Sequence, residues 1–559
     1  MRRWAPAAIL VVLAALFLIA SRGAYKGYFS ADELDNIWWT GNVQWDTFAR
    51  GIVSPLFAKQ NFRPAGHFYF WIMGRTAGLD FRPYIAVLHA LHLANMCLVW
   101  FLLRRYGMPA AASAAGVLFF GFHMAVFDAY WKPMYIFDVL STAFCLLALL
   151  AWQRRVWVLS LLSFWLAYKA KEPAIMLPLV LLAEEHFFGE KRYRRLIPFF
   201  AVSLNFGLQG IFLNPNVDNE YTLRLSLAGL QKTIGFYSSQ MLLLPYLGFL
   251  LPLALLVVRD RRFRFGLFLM AVLLVPMLLL PGRLFGAYLY LSLTGAAVAL
   301  SAFAASGRLA AVALFLALWT PANYLHMRHL RRAALAAADD VRAYVEAVGD
   351  FARRAPEIHT FVIDGAPESL QRWGVDAALR RLYGKPDIDI VSIQDLKDSA
   401  SLPEERLALL SWDAATHRLY TVSRAAESKD VSQVVMTRLT PVWQLETGWY
   451  EREHQYRWIK PYARARLWRP AEATRFELSV NAGPEHIATV RKVTVEVSLS
   501  GVFAGCAEFS KAGIETVSWP LPPGGAGTVR VEFRVSPEFR PPGGDPRLLG
   551  MAIVAFGFR

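Results

Sequence analysis

At 559 residues and 56% hydrophobic, the chain is too long and too apolar to fold as one water-soluble core. Its formal charge of +16 would suit nucleic acid, but the basic residues lie mainly in short loops between apolar runs, which reads as membrane topology and argues against that partner. Cys97 and Cys145 inside apolar runs, with Cys506 alone downstream, have no zinc-ligand spacing and form no disulfide framework; they are expected to be buried, inert thiols.

Arg2 and Arg3 precede an apolar run over residues 4–20. A cleavable signal peptide has the same layout. The many runs that follow favour an uncleaved first span, with the N-terminus held in the cytoplasm. Alternation from there yields about eleven spans up to residue 325. Arg104-Arg105 and residues 153–155, 190–195, 259–264 and 306–308 then become cytoplasmic turns. The basic stretch 326–332 falls outside by this count, against the usual charge rule. The expected fold is a polytopic α-helical membrane protein with a C-terminal extracytoplasmic α/β plus β-sandwich region. Its place is the cell inner (plasma) membrane.

One outer segment, residues 21–82, is far longer than a connector requires. Helical stretches at 33–58 and 66–78 are expected to lie along the interface, because Trp38, Trp39, Trp45, Phe68, Tyr69 and Trp71 suit an aromatic belt. Beyond the spans, residues 326–404 read as a helix (333–354) and a small α/β unit: strand 359–364, helix 367–383, strand 387–393. Short strands follow at 406–412, 417–422, 476–480, 492–499, 528–535 and 551–558. Turn signals at 520–527 and 541–545 separate them, so residues 405–559 read as a β-sandwich. Trp449, Tyr456 and Trp458 are either sugar-contacting surface aromatics or core aromatics.

The residues with chemistry cluster on the outer side. Ser30-Ala31-Asp32-Glu33-Leu34-Asp35 follows the first span, and carboxylates at a membrane mouth are costly unless they meet a cation, a metal or a hydroxyl. A carboxylate there can take a proton from an attacking hydroxyl. The same residues fit a capped interfacial helix, with Ser30 as N-cap and Glu33 completing a capping box, and the two roles are compatible. Asn61-Phe62-Arg63-Pro64-Ala65-Gly66-His67 closes the loop, where Arg63 either holds a phosphate or snorkels. Lys169-Ala170-Lys171-Glu172-Pro173 interrupts an apolar stretch and either faces a phosphate or forms a charged turn. Pro281-Gly282-Arg283 precedes Tyr288-Leu289-Tyr290, and Trp131-Lys132-Pro133 precedes Asp138. Acids beside cations on one membrane face suit a lipid-linked phosphate leaving group and a hydroxyl acceptor.

These features resemble the GT-C superfamily of membrane glycosyltransferases: Asp32-Glu33 in the first outer loop of a multi-span scaffold. The stretch Asn61-Phe62-Arg63-Pro64 with Gly74, Pro83, His89, His92 and Asn95 is similar to the branch that holds protein O-mannosyltransferases and their bacterial relatives. Lys171-Glu172 and the Arg283-to-Tyr290 segment fit the same branch. The resemblance covers residues 1–325, which would be the transmembrane catalytic domain. It implies an inverting hexosyl or pentosyl transfer from a polyprenyl-phosphate sugar, with Asp32 as base and Glu33 beside it. Arg63, Lys171, Glu172, Arg283 and Lys169 would hold donor phosphate and sugar, with His67, Lys132 and Asp138 as further candidates. The acceptor would be a hydroxyl of protein, lipid or polysaccharide. No metal and no cofactor is expected, since no cluster has ligand spacing and the cations neutralise phosphate. The tail lacks the helical repeats of some members; Gly448-Trp449-Tyr450-Glu451 and Asp545-Pro546-Arg547-Leu548-Leu549-Gly550 instead look like bacterial relatives. The alternative is a transporter or flippase for lipid-linked sugars, which would usually show related halves and midplane charges.

Overall fold

Apolar length and its interruptions decide the first part of the chain. The computed structural model describes residues 5–56, 62–213, 219–242, 246–256, 258–393, 406–424, 430–541 and 545–559. Arg2, Arg3, Asn61, the expected 404/405 boundary and most of the 541–545 turn lie outside the described residues. The chain divides into two compact units, Met1–Ala338 and Asp339–Arg559.

In the first unit, α1 (Ala5–Ser21) runs into a tight turn at Arg22–Lys26. The long loop folds as α2 (Ala31–Gly41), α3 (Trp45–Val53) and α4 (Pro64–Thr76). The expected helix over 33–58 is broken after Gly41, where the Asn42 and Val43 amides turn back onto the carbonyls of Trp39 and Thr40. Then come α5 (Phe81–Arg105), α6 (Ala110–Phe122), α7 (Phe127–Trp131), α8 (Ile136–Gln153) and α9 (Trp157–Ala170). They are followed by α10 (Leu177–Phe187), α11 (Ile197–Phe212), α12 (Leu227–Met241) and α13 (Leu250–Leu253). Last come α14 (Arg261–Leu278), α15 (Leu293–Phe303) and α16 (Leu309–Arg354).

Five helical runs among the described residues are long and apolar enough to cross a membrane, or six if α6 and its 42° continuation are one span. Other apolar runs of the sequence are shorter helices, such as α9 with 14 residues and α10 with 11. The last long run, Leu293–Arg354, is interrupted where Gly307 takes φ +87°, a left-handed conformation that glycine adopts without Cβ strain. That break is the turn read at residues 306–308. Val11, Val158, Leu204 and Leu314 are exposed on the outer faces, where lipid rather than water suits them. The chain is a multi-pass membrane protein.

Polar groups bind the helices from within. His92 Nδ1 lies 2.6 Å from the Tyr290 hydroxyl and its Nε2 3.1 Å from the Gly121 carbonyl. Asn95 donates to the Val139 carbonyl at 2.9 Å and to the Tyr290 hydroxyl at 3.2 Å. His89 Nε2 meets the Tyr130 carbonyl at 2.9 Å. These three residues lie on α5 and tie it to neighbouring segments through hydrogen bonds inside an apolar bundle. They hold helices together. Close backbone packing does the rest: a Cβ on Gly295 would fall 2.3 Å from the Met270 nitrogen of α14.

The second unit opens with the C-terminal part of α16, followed by a four-stranded sheet of β1 (Thr360–Asp364), β2 (Asp389–Ser392), β3 (Leu407–Asp413) and β4 (Arg418–Arg424), with α17 (Arg372–Tyr383) between the first two strands. The order is β2-β1-β3-β4, with β1 parallel to both neighbours and β4 antiparallel to β3. Strands β3 and β4, expected in the sandwich, therefore belong to the α/β sheet. All seven residues of β3 are buried, as befits a central strand rather than an alternating sandwich strand.

Nine further strands form one antiparallel sheet: β5 (Gln433–Val435), β6 (Thr447–Glu453), β7 (Tyr456–Arg469), β8 (Arg475–Ala482), β9 (Val493–Leu499), β10 (Val502–Phe509), β11 (Gly513–Pro520), β12 (Gly527–Ser536) and β13 (Ala552–Phe558). Helix α18 (Pro484–Val490) lies between β8 and β9. Trp449 is a core aromatic: its indole N–H donates to the Arg464 carbonyl at 2.7 Å and its ring stacks on Phe556. Trp458 is buried against Phe539 and His486. Neither presents a face to a sugar. The two tail motifs meet, with Arg547 2.6 Å from Glu453 and the Tyr450 hydroxyl donating to the Leu548 carbonyl. Cys506, expected to be buried, is exposed on β10.

Candidate functional site

Local chain breaks put the charged side chains in place. Helix α9 ends when Lys171 turns extended (φ −161°, ψ 142°), and Glu172-Pro173 opens a tight turn through Met176 before α10. Arg63 caps α4 with Pro64 as its first helical residue, where the missing N–H costs nothing. His67 receives the Arg63 amide on Nδ1 at 2.9 Å. That bond requires a neutral imidazole, and burial together with the nearby Arg63 charge depresses its pKa to about 3. His67 thus positions Arg63; its ring is packed among Phe62, Trp39 and Phe137.

Four of the expected residues line one cavity of about 340 Å³: Arg63, Lys171, Glu172 and Arg283. Tyr168, Tyr221 and Tyr288 complete its polar wall, while Phe206, Pro276 and Leu280 supply an apolar side. Arg63 Nε donates to Glu172 at 2.7 Å across 109 residues of sequence. Lys171 Nζ donates to both Asp138 carboxylate oxygens at 2.6 Å and lies over the Tyr288 ring at 4.6 Å. Arg283 donates from Nε to the Tyr288 hydroxyl at 3.1 Å and from Nη1 to Glu220 at 2.6 Å. Three cations from three separate loops therefore meet in one hollow, each matched by a carboxylate. Of the three pairs Lys171–Asp138 is the buried one, and removing one of its members leaves an uncompensated charge.

The loop carboxylates divide their roles. Glu33 is fully buried and accepts from the Ser30 amide at 2.8 Å and the Met134 amide at 3.0 Å. It also bonds the Ser30 hydroxyl, so the capping box read from sequence is formed. Burial pushes its carboxyl pKa up, against the lowering effect of these hydrogen bonds. Replacing Glu33 with Ala strands two backbone amides and should cost about 2–4 kcal/mol of stability, read as a lowered thermal midpoint of the purified protein. An unchanged midpoint would remove the capping role. Asp32 is half-buried in the first turn of α2 and lies outside the cavity lining. Its helix start is clamped to the turn Pro133–Tyr135, because Asn36 Nδ2 donates to the Asp32 carbonyl at 2.7 Å and sits 3.5 Å from Met134 Sδ. That turn leads directly into α8 and Asp138.

Two expected residues stand elsewhere. Lys169, still helical in α9, does not line the cavity; its ammonium lies 3.5 Å from the Leu56 carbonyl and over the Trp165 and Phe206 rings. Lys132 pairs with Asp128 at 3.2 Å on an exposed face. Lys132→Ala should therefore shift stability by less than about 0.5 kcal/mol in thermal unfolding, and a larger loss would place it in the packed site. Tyr168, Tyr221, Tyr288 and Glu220 were not singled out as site residues. Tyr288 carries a signal in its spacing from Arg283, whereas nothing local marks Glu220. Among the described residues no group of three or more His, Cys, Asp and Glu side chains converges as a metal set.

No family model and no curated protein sequence matches the chain. Solved structures do. The chain is similar to ArnT from Cupriavidus metallidurans bound to undecaprenyl phosphate, at 13% identity and TM-score 0.48, over 75% of this chain and 98% of that one. The apo form of the same protein matches at 13% identity and TM-score 0.46, over 78% and 96%. The arabinofuranosyltransferase AftD from Mycobacteria matches at 13% identity and TM-score 0.44, over 99% of this chain and 60% of AftD.

Proposed function

We propose that this protein is a GT-C-type inverting glycosyltransferase that moves a sugar from a polyprenyl-phosphate donor to a hydroxyl acceptor at the extracytoplasmic face of the cell inner membrane. One observation carries the reading: Arg63, Lys171 and Arg283, separated in sequence, line a single cavity with one apolar side. Such a hollow suits a phosphate attached to a long apolar chain. The motifs shared with the GT-C superfamily supply the reaction class.

In this reading Asp32 accepts the proton of the acceptor hydroxyl as its oxygen attacks the anomeric carbon. The bond from that carbon to the phosphate oxygen breaks in line, and its electron pair leaves with polyprenyl phosphate, which inverts the centre. The three cations stabilise the charge that develops on the leaving oxygen. The cations are ion-paired at rest, so donor phosphate must compete with a carboxylate. Arg283 is the readiest to exchange, because its partner Glu220 is more than half exposed.

The test is incubation of the purified full chain in proteoliposomes with a panel of labelled polyprenyl-phosphate sugars and membrane extract. Transfer releases polyprenyl phosphate and labels an acceptor. Movement of an intact donor across the bilayer without cleavage would identify a transporter and end this reading.

A further inference from the structure

A second, larger cavity of about 720 Å³ lies where α5, α8 and α10 end and α14 begins. Helix α14 has 18 residues and so rises ~27 Å between this cavity and the Arg283 side of the bundle, close to the hydrocarbon thickness of ~30 Å. By the topology expected from sequence, this is the cytoplasmic face.

The cavity has an uneven charge ledger. Its three carboxylates are all engaged. Glu185 accepts from the Trp152 indole and the Arg155 guanidinium, each at 3.2 Å, and from the Glu190 and Arg192 amides at 2.9 and 2.8 Å. Glu184 accepts from the Tyr106 hydroxyl at 2.5 Å and Gln153 Nε2 at 3.0 Å. Asp260 holds Arg262. Two guanidiniums differ. Arg105 bonds the Gln153 carbonyl at 3.4 Å, and Arg261 bonds the Phe187 carbonyl at 3.3 Å and lies over the Phe188 ring. Neither is ion-paired to a carboxylate among the described residues. Gln153 Oε1 is buried with no partner there, while its amide nitrogen is committed to Glu184. A buried acceptor of this kind calls for a donor from a ligand or water.

We propose that this cavity binds the headgroup of an anionic phospholipid carrying a free hydroxyl, of the phosphatidylglycerol type. Arg105 and Arg261 take the phosphate, and Gln153 Oε1 accepts from the headgroup hydroxyl. The lipid source follows from position: apolar helices end around the cavity, so a lipid's acyl chains can lie along them while its headgroup reaches the arginines, an anchorage that a free phosphate lacks.

The experiment uses the full chain in detergent, titrated with short-chain phosphatidylglycerol, short-chain phosphatidylcholine and inorganic phosphate, with the thermal midpoint as readout. Phosphatidylglycerol should raise the midpoint saturably and phosphatidylcholine should not. Arg105→Gln with Arg261→Gln should weaken the phosphatidylglycerol response by about tenfold or more, and the paired lysine variant, which keeps charge, should lose less. Gln153→Leu should narrow the preference for phosphatidylglycerol over short-chain phosphatidic acid, titrated in the same way. An undiminished response in the glutamine pair, or equal responses to both diacyl lipids, overturns the site. Inorganic phosphate that saturates the effect alone overturns the lipid assignment. None of these readouts depends on sugar transfer.

Discussion

Asp32→Asn should lower the turnover of sugar transfer by roughly 10²–10⁴-fold while leaving donor binding within about twofold, because the amide keeps the shape and loses only the proton acceptor. The side chain sits in the first turn of α2 beside a fully formed cap, so the substitution leaves the Ser30–Glu33 bonds and the Met134 clamp untouched. Loss of a first-turn acid costs only a few tenths of a kcal/mol through the helix dipole. The check is a parallel measurement of initial rate and donor affinity, with the thermal midpoint as a folding control. Transfer at the normal rate would remove Asp32 as base and turn attention to the other carboxylates near the hollow.

Lys171→Met should be the most damaging change to the fold of the site. It leaves Asp138 buried in α8 with its cation gone, and such broken pairs cost ~3–5 kcal/mol. Transfer should fall as well, because the hollow loses a cation facing the leaving group. Lys171→Met combined with Asp138→Asn separates the two effects: the pair removed together should recover most of the stability and none of the transfer. Thermal midpoints and initial rates of the single and double variants decide it. Recovery of full transfer in the double variant would mean that Lys171 serves only to neutralise Asp138.

Readability from sequence followed range. Features that depend on near neighbours were legible. Ser30 and Glu33 at cap spacing form the cap, the Lys171-Glu172-Pro173 interruption ends α9, and Ser306-Gly307-Arg308 is a break. Strands β8, β9, β12 and β13 were legible in the sequence, whereas β5, β6, β7, β10 and β11 were not. The edge strands β10 and β11 are largely exposed, so burial imposes no apolar period on them. Trp449 shows the same limit from the other side: its aromatic character says it is costly to expose, and only the assembled sheet says which ring it stacks on.

By itself the sequence determined the apolar lengths, the helix breaks and the presence of Arg63, Lys171, Glu172 and Arg283 in loops of one sort. Only the tertiary structure decided that these loops converge, that Arg63 pairs with Glu172 and Lys171 with Asp138, and that Lys169 stays outside the cavity lining. The reason is physical. A cap or a span is stabilised by residues a turn or two apart, whereas an ion pair across 109 residues depends on which helix ends the packing brings together, and no local pattern encodes that meeting.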